Sequence, residues 1–355
     1  MAIFWVTLSL VYLLSFFSRY FARPVTIGPV YIQPNKFLVF MVIAIMVLVS
    51  GLRKGIGDTF FYMHSYAITH FSWEDIGFKA DFGFNILQLL LQQVSNDPQI
   101  LIFIVALITN VLILIVLYKY ARLFELGIYV YITSGLFLVS MNGIRQFLAA
   151  AIAFAATKYI FSGSWIKYIV VILIASTIHQ SALILIPVYF IVRRKAWTNQ
   201  TYILLSVAVI LVIGFTQFSE ALFTVIKDTK YSEYQNMELQ GANFLRVVVL
   251  AVPIVFAFFG REKLRKIFPG SDYVVNMSLI NLVFMLISTQ QWIFARFSIY
   301  FGLYNLILIP WVVKLFVPKE QKLIYYAILV SYFIYYFYES VISLNIIYKS
   351  DFLIF

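Results

Sequence analysis

The chain has 355 residues, of which 63% are hydrophobic, 19% aromatic and only 12% charged. A soluble domain carries about a quarter charged residues and cannot hide this much apolar surface from water. The apolar residues come in unbroken runs, which excludes a β-barrel of alternating strands. The composition predicts an all-α polytopic membrane protein, and the absence of cysteine excludes disulfides, thiolate metal sites and cysteine nucleophiles.

Twelve apolar runs have the composition of membrane passes. They cover residues 3–18, 37–51, 99–118, 127–141, 145–160, 165–178, 181–192, 201–217, 243–260, 274–289, 293–313 and 323–343. The first run lacks a basic start and a small-residue cleavage site, so we expect a retained helix and not a signal peptide. A shorter run at 83–94 is rich in glutamine and is predicted to be an interfacial helix. We expect one membrane domain over 1–355.

Positive charges collect in alternate connections between the runs. The connection holding Arg19, Arg23 and Lys36, and every second connection after it, carry 17 of the 26 cations but four of the 15 anions, Glu125 among them. Because cations concentrate in cytoplasmic loops, this set is predicted to be cytoplasmic. Both termini, the segment 52–98 and the loop 218–242 are then predicted to face the outside. Anionic lipid heads account for the net charge of +11 without a nucleic acid.

Two polar segments are predicted to lie within the depth of the membrane. Between Glu125 and Lys158 the chain must cross twice with roughly 15 residues each way, about 23 Å of helix against a hydrocarbon core of about 30 Å. The apex at 141–146 is therefore expected below the outer surface, and the same reasoning places 176–181 there. Polar groups at that depth require a protein-walled cavity, here one facing outward.

Arginine is unexpectedly frequent in the predicted outer half of the protein, at Arg53, Arg145, Arg246 and Arg296. A single arginine near a helix end is usually a snorkelling anchor, which is our interpretation of Arg246. The other three together favour a site for a lipid-borne phosphate, because guanidinium groups bind phosphate oxygens through two parallel hydrogen bonds.

Further polar side chains are predicted to join these arginines. Asn142, Arg145 and Gln146 have the spacing of one helix face, as do Arg296 and Tyr300. AAAIAFAA at 149–156 is a small-residue surface suited to close helix packing.

The segment 50–66, SGLRKGIGDTFFYMHSY, combines glycines, a cation, a carboxylate and aromatic rings. Asp58 or Thr59 is expected to cap a short helix with Asp58, Tyr62 and Tyr66 on one face. Aromatic rings stack on sugars and cations bind phosphates, so the segment fits a glycolipid head group.

Other chemistry finds little support in the sequence. The three histidines lack metal-site spacing, and no Walker loop or G-x-S-x-G elbow occurs. We therefore expect neither metal nor nucleotide cofactor. His179 is either an interior histidine satisfied by Ser176 and Ser181 or a proton acceptor.

Four pieces of sequence resemble the EpsG family of exopolysaccharide membrane proteins, which are similar to Wzy-type polysaccharide polymerases. They are GLRKGIGD (51–58) followed by Tyr62, NGIRQFLAAAI (142–152), the pair His179 and Ser181, and ARFSIYF (295–301). One departure is Thr59 and Phe60, where many members carry a tyrosine directly after the aspartate. The resemblance implies functional roles for a set of seven residues: Arg53, Asp58, Asn142, Arg145, Gln146, His179 and Arg296.

The resemblance implies a polymerase that joins oligosaccharide units carried on undecaprenyl diphosphate at the outer face of a bacterial cell membrane. Its implied partners are these lipid-linked units, the nascent polysaccharide, membrane lipids, a flippase and a chain-length regulator. In this interpretation Arg145 and Arg296 stabilise the departing diphosphate, and Asp58 or His179 accepts the proton of the attacking hydroxyl. Arg53 and Tyr62 would hold the acceptor glycan, and Asn142, Gln146 and Tyr300 would contact substrate.

Two alternatives remain from the sequence. A glycolipid transporter suits twelve passes, although it requires polar groups reachable from both faces. A membrane acyltransferase would use His179 as its base and would change acetyl content at constant polymer length.

Overall fold

The computed structural model describes residues 1–24, 30–74, 76–77, 81–215, 217 and 241–353. These residues are almost entirely helical, which confirms the all-α prediction. A short antiparallel ribbon pairs β1 (Arg23–Pro24) with β2 (Ile32–Gln33). Most of the predicted outer loop 218–242 lies outside the described residues.

Except for α3 (Thr59–Ile68), the helices of the first part of the chain overlap the predicted apolar runs. They are α1 (Ala2–Tyr20), α2 (Lys36–Gly51), α3 (Thr59–Ile68), α4 (Phe82–Gln92), α5 (Gln99–Tyr120), α6 (Phe124–Thr133), α7 (Leu136–Asn142), α8 (Ile144–Ala155), α9 (Thr157–Ser162), α10 (Trp165–Ile178), a 3₁₀ turn (Gln180–Ile184), α11 (Leu185–Val192) and α12 (Asn199–Ile213).

The later helices include two irregular turns. They are α13 (Phe244–Phe259), α14 (Arg261–Ile267), α15 (Ser271–Ser288), α16 (Phe294–Gly302), α17 (Asn305–Val312), a 3₁₀ turn (Val313–Leu315), α18 (Pro318–Tyr336) and a π-helical turn (Phe337–Ser343). Asparagine side chains fix two of the helix starts, because Asn35 and Asn243 each accept a backbone N–H of the first turn.

Four stretches of described helix are long and apolar enough to cross a membrane: Ala2–Tyr20, Gln99–Tyr120, Ile144–Ser162 and Ser271–Ser288. Three bent pairs raise the number to seven if each pair is one span. The chain is therefore a polytopic helical membrane protein. Twelve passes are not confirmed, because several predicted runs form apolar helices of only 10–17 residues.

Two of the predicted passes form pairs of helices that are bent at a break, and we call these pairs the bent spans. Helices α6 and α7 meet at 55°, and α16 and α17 also meet at 55°. At the first bend Gly135 has φ +84°, a left-handed conformation that glycine adopts without steric cost. Both bends line the same cavity, which positions the site described below.

Three contacts each join segments that the charge pattern predicts to lie on the same side of the membrane. At one end Tyr31 donates to the carbonyl of Ile267 at 3.2 Å, and Arg193 donates to that of Ile160 at 3.1 Å. At the other end the N–H of Lys54 donates to the carbonyl of Lys349 at 2.8 Å. The placement of the second end outside the cell remains a prediction.

The predicted placement of Glu125 in a connection between helices is wrong. Glu125 lies in the first turn of α6, fully buried and paired with Arg19. Helix α6 begins at Phe124, before the apolar run at 127–141, and this carries the carboxylate into the helix bundle.

The small-residue surface of α8 packs as predicted. Ala149, Ala150 and Ala151 are completely buried, and α8 lies against α5, α10 and α16. Small side chains let the helix backbones approach closely. This packing fixes the start of α8, which carries Arg145 and Gln146, beside α16, which carries Arg296.

Candidate functional site

A cavity of about 400 Å³ lies between α3, the two bent spans, α8, α13, α15 and the π-helical turn. Both polar segments that were predicted at membrane depth contribute to it. The predicted site residues that line it are Asp58, Tyr62, Asn142, Arg145, Gln146, His179 and Arg296. The sequence analysis therefore grouped residues that are far apart in the chain, and in the fold these residues line one cavity.

Arg145 is held in a defined orientation at this cavity. Its Nε donates to the hydroxyl of Tyr62 at 3.3 Å, and its guanidinium carbon lies 5.7 Å and 5.8 Å from the ring centres of Tyr62 and Phe84. The side chain remains 40% exposed. The two rings and the hydroxyl fix the plane of the guanidinium while one edge stays accessible.

Asp81 is a member of this cluster that the sequence analysis missed. Its carboxylate lies 3.5 Å from Nη1 of Arg145 and accepts the backbone N–H of Gln180 at 2.8 Å. It therefore joins the Arg145 cluster to the segment that carries His179. Its φ of +65°, just before α4, is rare for a residue other than glycine, but the sequence offers no spacing that connects it to Arg145.

Asp58 occupies the N-cap position of α3 as expected, but its side chain caps no backbone group. Its backbone N–H donates to Oδ1 of Asn142 at 2.9 Å. The bond brings the 50–66 segment to the end of α7 and leaves the Asp58 carboxylate at the cavity. Tyr66 is not at this surface, because it is buried and donates to the carbonyl of Ser95 at 2.9 Å.

Asn142 and Arg145 do not share one helix face, contrary to the prediction from their spacing. Gly143 ends α7 and begins α8, so the two side chains belong to different helices. They still line the same cavity. Gln146, on α8, donates from Nε2 to the carbonyl of Arg296 at 2.8 Å and so ties α8 to α16.

The guanidinium of Arg296 lies over the ring of Trp292, 5.2 Å from its centre. Its side chain is exposed and lines the cavity together with that of Arg145. Two guanidinium groups on different spans therefore reach one cavity.

His179 lies at the break between α10 and the following 3₁₀ turn and faces the cavity. Oγ of Ser181 lies 2.7 Å from its Nδ1 and 2.8 Å from the hydroxyl of Tyr300. Tyr300 was predicted to contact substrate, but it is only 2% exposed and lies behind Ser181, outside the cavity lining. These three groups form a hydrogen-bonded chain from the protein interior to the cavity.

Arg53 also lies outside the cavity. Only 1% of it is exposed, and it donates to Oγ1 of Thr59 at 3.0 Å, to the carbonyl of Met141 at 2.7 Å and to the carbonyl of Ser50. Burial lowers the pKa of Arg53 to about 9, which leaves the guanidinium protonated at neutral pH. The geometry gives it a positioning role for residues 50–59 and the end of α7.

Arg246 is not a snorkelling anchor. It donates to Oε1 of Glu339, and both side chains line the cavity. Glu339 belongs to the π-helical turn, which the apolar run at 323–343 did not predict. The pair links α13 to this turn across the cavity wall. Within the described ranges no three histidine or acidic side chains come together as a potential metal site.

The fold and this cavity define a polytopic helical membrane protein with an arginine-lined cavity among its helices. The chain belongs to the EpsG family, whose model matches residues 36–350. The family consists of membrane proteins involved in exopolysaccharide biosynthesis. Comparisons with curated proteins and with solved structures found no match.

Proposed function

We propose that the protein is a polysaccharide polymerase that joins oligosaccharide units carried on undecaprenyl diphosphate. The reaction would take place in the cavity described above, at the outer face of a bacterial cell membrane. A flippase that supplies the units and a chain-length regulator are the expected partners. Family membership supports the glycosyltransferase-like class.

One observation carries the proposal: Arg145 and Arg296 line the same cavity as Asp58 and His179. Each arginine is exposed enough to contact a ligand, and aromatic rings hold both guanidinium groups. Two cations beside two proton acceptors are what a reaction with a phosphate leaving group and a hydroxyl nucleophile requires.

In the proposed reaction the bond between the anomeric carbon of the growing chain and the diphosphate oxygen breaks. A sugar hydroxyl of the next unit forms the new bond to that carbon and loses its proton to a base in the cavity. Negative charge grows on the departing diphosphate, and Arg145 and Arg296 stabilise it by charge-assisted hydrogen bonds. The leaving group is already activated, so the chemistry uses no nucleotide.

The hydrogen-bonded chain behind His179 favours it as the proton acceptor. When Nδ1–H donates to Ser181, the lone pair resides on Nε2, the nitrogen that a general base needs. In that arrangement Ser181 donates to Tyr300, and both residues act as positioning residues for the imidazole. Asp58 is the second candidate base, held by the bond from its N–H to Asn142.

The test is the purified protein in liposomes with lipid-linked repeat units and no nucleotide. A ladder of longer saccharides is the expected result, and Arg145→Lys should abolish most of it. Movement of the units across the bilayer without a ladder would instead establish the transporter. Acetyl transfer at constant saccharide length would establish the acyltransferase.

A further inference from the structure

The cavity extends beyond the arginines to the place where the two bent spans meet. Asn281 lies within α15, and Asn305 begins α17 directly after the second bend. Ser134 lies at the first bend, and Glu339 and Ser340 come from the π-helical turn. All five residues line the cavity, and we call them the polar floor.

Atoms of the polar floor have no hydrogen-bond partner among the described residues. These atoms are Oδ1 of Asn281, both amide atoms of Asn305, the hydroxyls of Ser134 and Ser340, and Oε2 of Glu339. Asn281 and Asn305 are only 2% and 3% exposed. Buried polar groups are nearly always paired, so an unpaired group that lines a cavity indicates a ligand-binding surface.

Close packing of the two bends forms the polar floor. A Cβ at Gly302 would lie 3.4 Å from Cδ2 of Leu136 and 3.6 Å from Oδ1 of Asn281. Both distances are ordinary van der Waals contacts, so α16 packs directly against α7 and α15 at this level. Asn281 and Asn305 lie on the elements that meet here, and both residues line the cavity.

The chemistry of the polar floor differs from that of the arginines. Amides and hydroxyls both donate and accept, and the Glu339 carboxylate is balanced by Arg246. Two tyrosines, Tyr332 and Tyr335, line the same cavity. Uncharged groups that donate and accept, beside aromatic rings, match the hydroxyls and apolar faces of a sugar ring and not a phosphate.

We propose that the polar floor is a saccharide subsite that binds the sugar attached to the diphosphate, while Arg145 and Arg296 bind the diphosphate. This inference rests on the proposed function and divides the substrate into two separately recognised parts. Amide contacts to hydroxyls then select the sugar. The arginines recognise any lipid diphosphate.

The experiment compares two probes in nanodiscs: repeat units on undecaprenyl diphosphate, extracted from a strain that lacks this protein, and undecaprenyl diphosphate alone. Asn281→Leu and Asn305→Leu should each weaken binding of the sugar-bearing probe by about tenfold, as the loss of a hydrogen bond does. Binding of undecaprenyl diphosphate should not change. Arg145→Ala should weaken binding of both probes.

Ser278→Ala is the matched control, because Ser278 is another buried, unpaired hydroxyl of α15 that lies outside the cavity lining. It should change neither affinity, and thermal unfolding should show all variants folded. Unchanged binding of the sugar-bearing probe in both asparagine variants would overturn the proposal of a saccharide subsite. The polar floor would then hold only water. If the wild-type protein bound neither probe, this result would contradict the proposed function, and the subsite proposal that depends on it would also be wrong.

Discussion

The side-chain oxygen of Asn142 accepts a hydrogen bond from the backbone N–H of Asp58 at 2.9 Å, across a gap that only glycine leaves open. A Cβ on Gly57 would lie 2.0 Å from that same oxygen, and Gly57 has φ +51°. This contact joins the glycine-rich segment to the end of α7. It places the Asp58 carboxylate at the cavity.

Gly57→Ala should therefore separate the segment from α7. The left-handed backbone alone costs about 1–2 kcal/mol for alanine, and the displaced Asn142 adds to this. We expect a lower unfolding temperature in detergent and a loss of polymer. Gly55→Ala is the control, because its Cβ would make an ordinary 3.6 Å contact with Lys349. Equal stability of the two variants would contradict the close approach at Gly57.

Arg145→Lys should reduce polymer synthesis by about a hundredfold, the scale seen when a group that stabilises developing charge is lost. Lysine keeps the charge, but it lacks the planar fork that lies between Tyr62 and Phe84. The length and amount of polymer from liposome assays measure the effect. Arg261→Lys is the control, because Arg261 stacks on Phe258 outside the cavity lining. A normal ladder from Arg145→Lys would remove this arginine from the mechanism.

Arg53 and Arg145 should respond differently to alanine. Arg53→Ala removes the donor to the Ser50 carbonyl and the closer of two donors to the Met141 carbonyl, so we expect a loss of about 3 kcal/mol in the free energy of unfolding. Arg145→Ala should change it by less than about 1 kcal/mol, because that side chain is 40% exposed and its ion pair is long. Denaturant titration measures both. If Arg53→Ala unfolded like the wild type, its positioning role would be wrong.

Ser181→Ala and Tyr300→Phe should lower the rate of polymer synthesis without weakening binding of the lipid-linked unit. Ser181→Ala removes both bonds of the chain behind His179 and Tyr300→Phe removes one, so we expect a loss of about tenfold from the first and less from the second. Tyr304→Phe is the control, because Tyr304 is equally buried and bonds to Thr157 instead. A change in binding with an unchanged rate would show that these residues contact substrate.

The pair of Arg19 and Glu125 gives a test that is separate from catalysis. Arg19→Met leaves the Glu125 carboxylate buried without its partner and should cost about 3 kcal/mol of unfolding free energy. The double variant Arg19→Met, Glu125→Leu should recover most of this loss. Lys54→Met, which breaks the exposed pair with Asp351, should cost less than about 1 kcal/mol. Additive losses in the double variant would show that Arg19 and Glu125 act independently.

The sequence predicted most of the helices and much of the cavity because membrane depth leaves few places for polar side chains. Short apolar runs around 141–146 and 176–181 indicated that Asn142, Arg145 and His179 lie inside the protein, and the structure places them at one cavity. Close helix packing could also be predicted at Ala149 to Ala151, because a run of small residues favours it.

The pairs of side chains that contact each other could not be predicted, because these contacts depend on where helices break. Gly143 separates Asn142 from Arg145, and the left-handed turn at Asp81 brings a carboxylate to Arg145 from 64 positions away in the chain. Arg246 had the pattern of a lone anchor because Glu339 is hidden in an apolar run. Charge and hydropathy patterns predict how deep in the membrane a side chain lies, but they do not predict which residue it pairs with.

The π-helical turn Phe337–Ser343 has a consequence for the evolution of the cavity wall. A π turn holds one residue more than an α turn, so it arises when a residue is inserted into a regular helix. Removing one residue here would restore regular pitch and rotate the side chains beyond it by about 100°. An insertion or deletion of one residue at this turn would therefore change which side chains of the chain beyond it face the neighbouring helices.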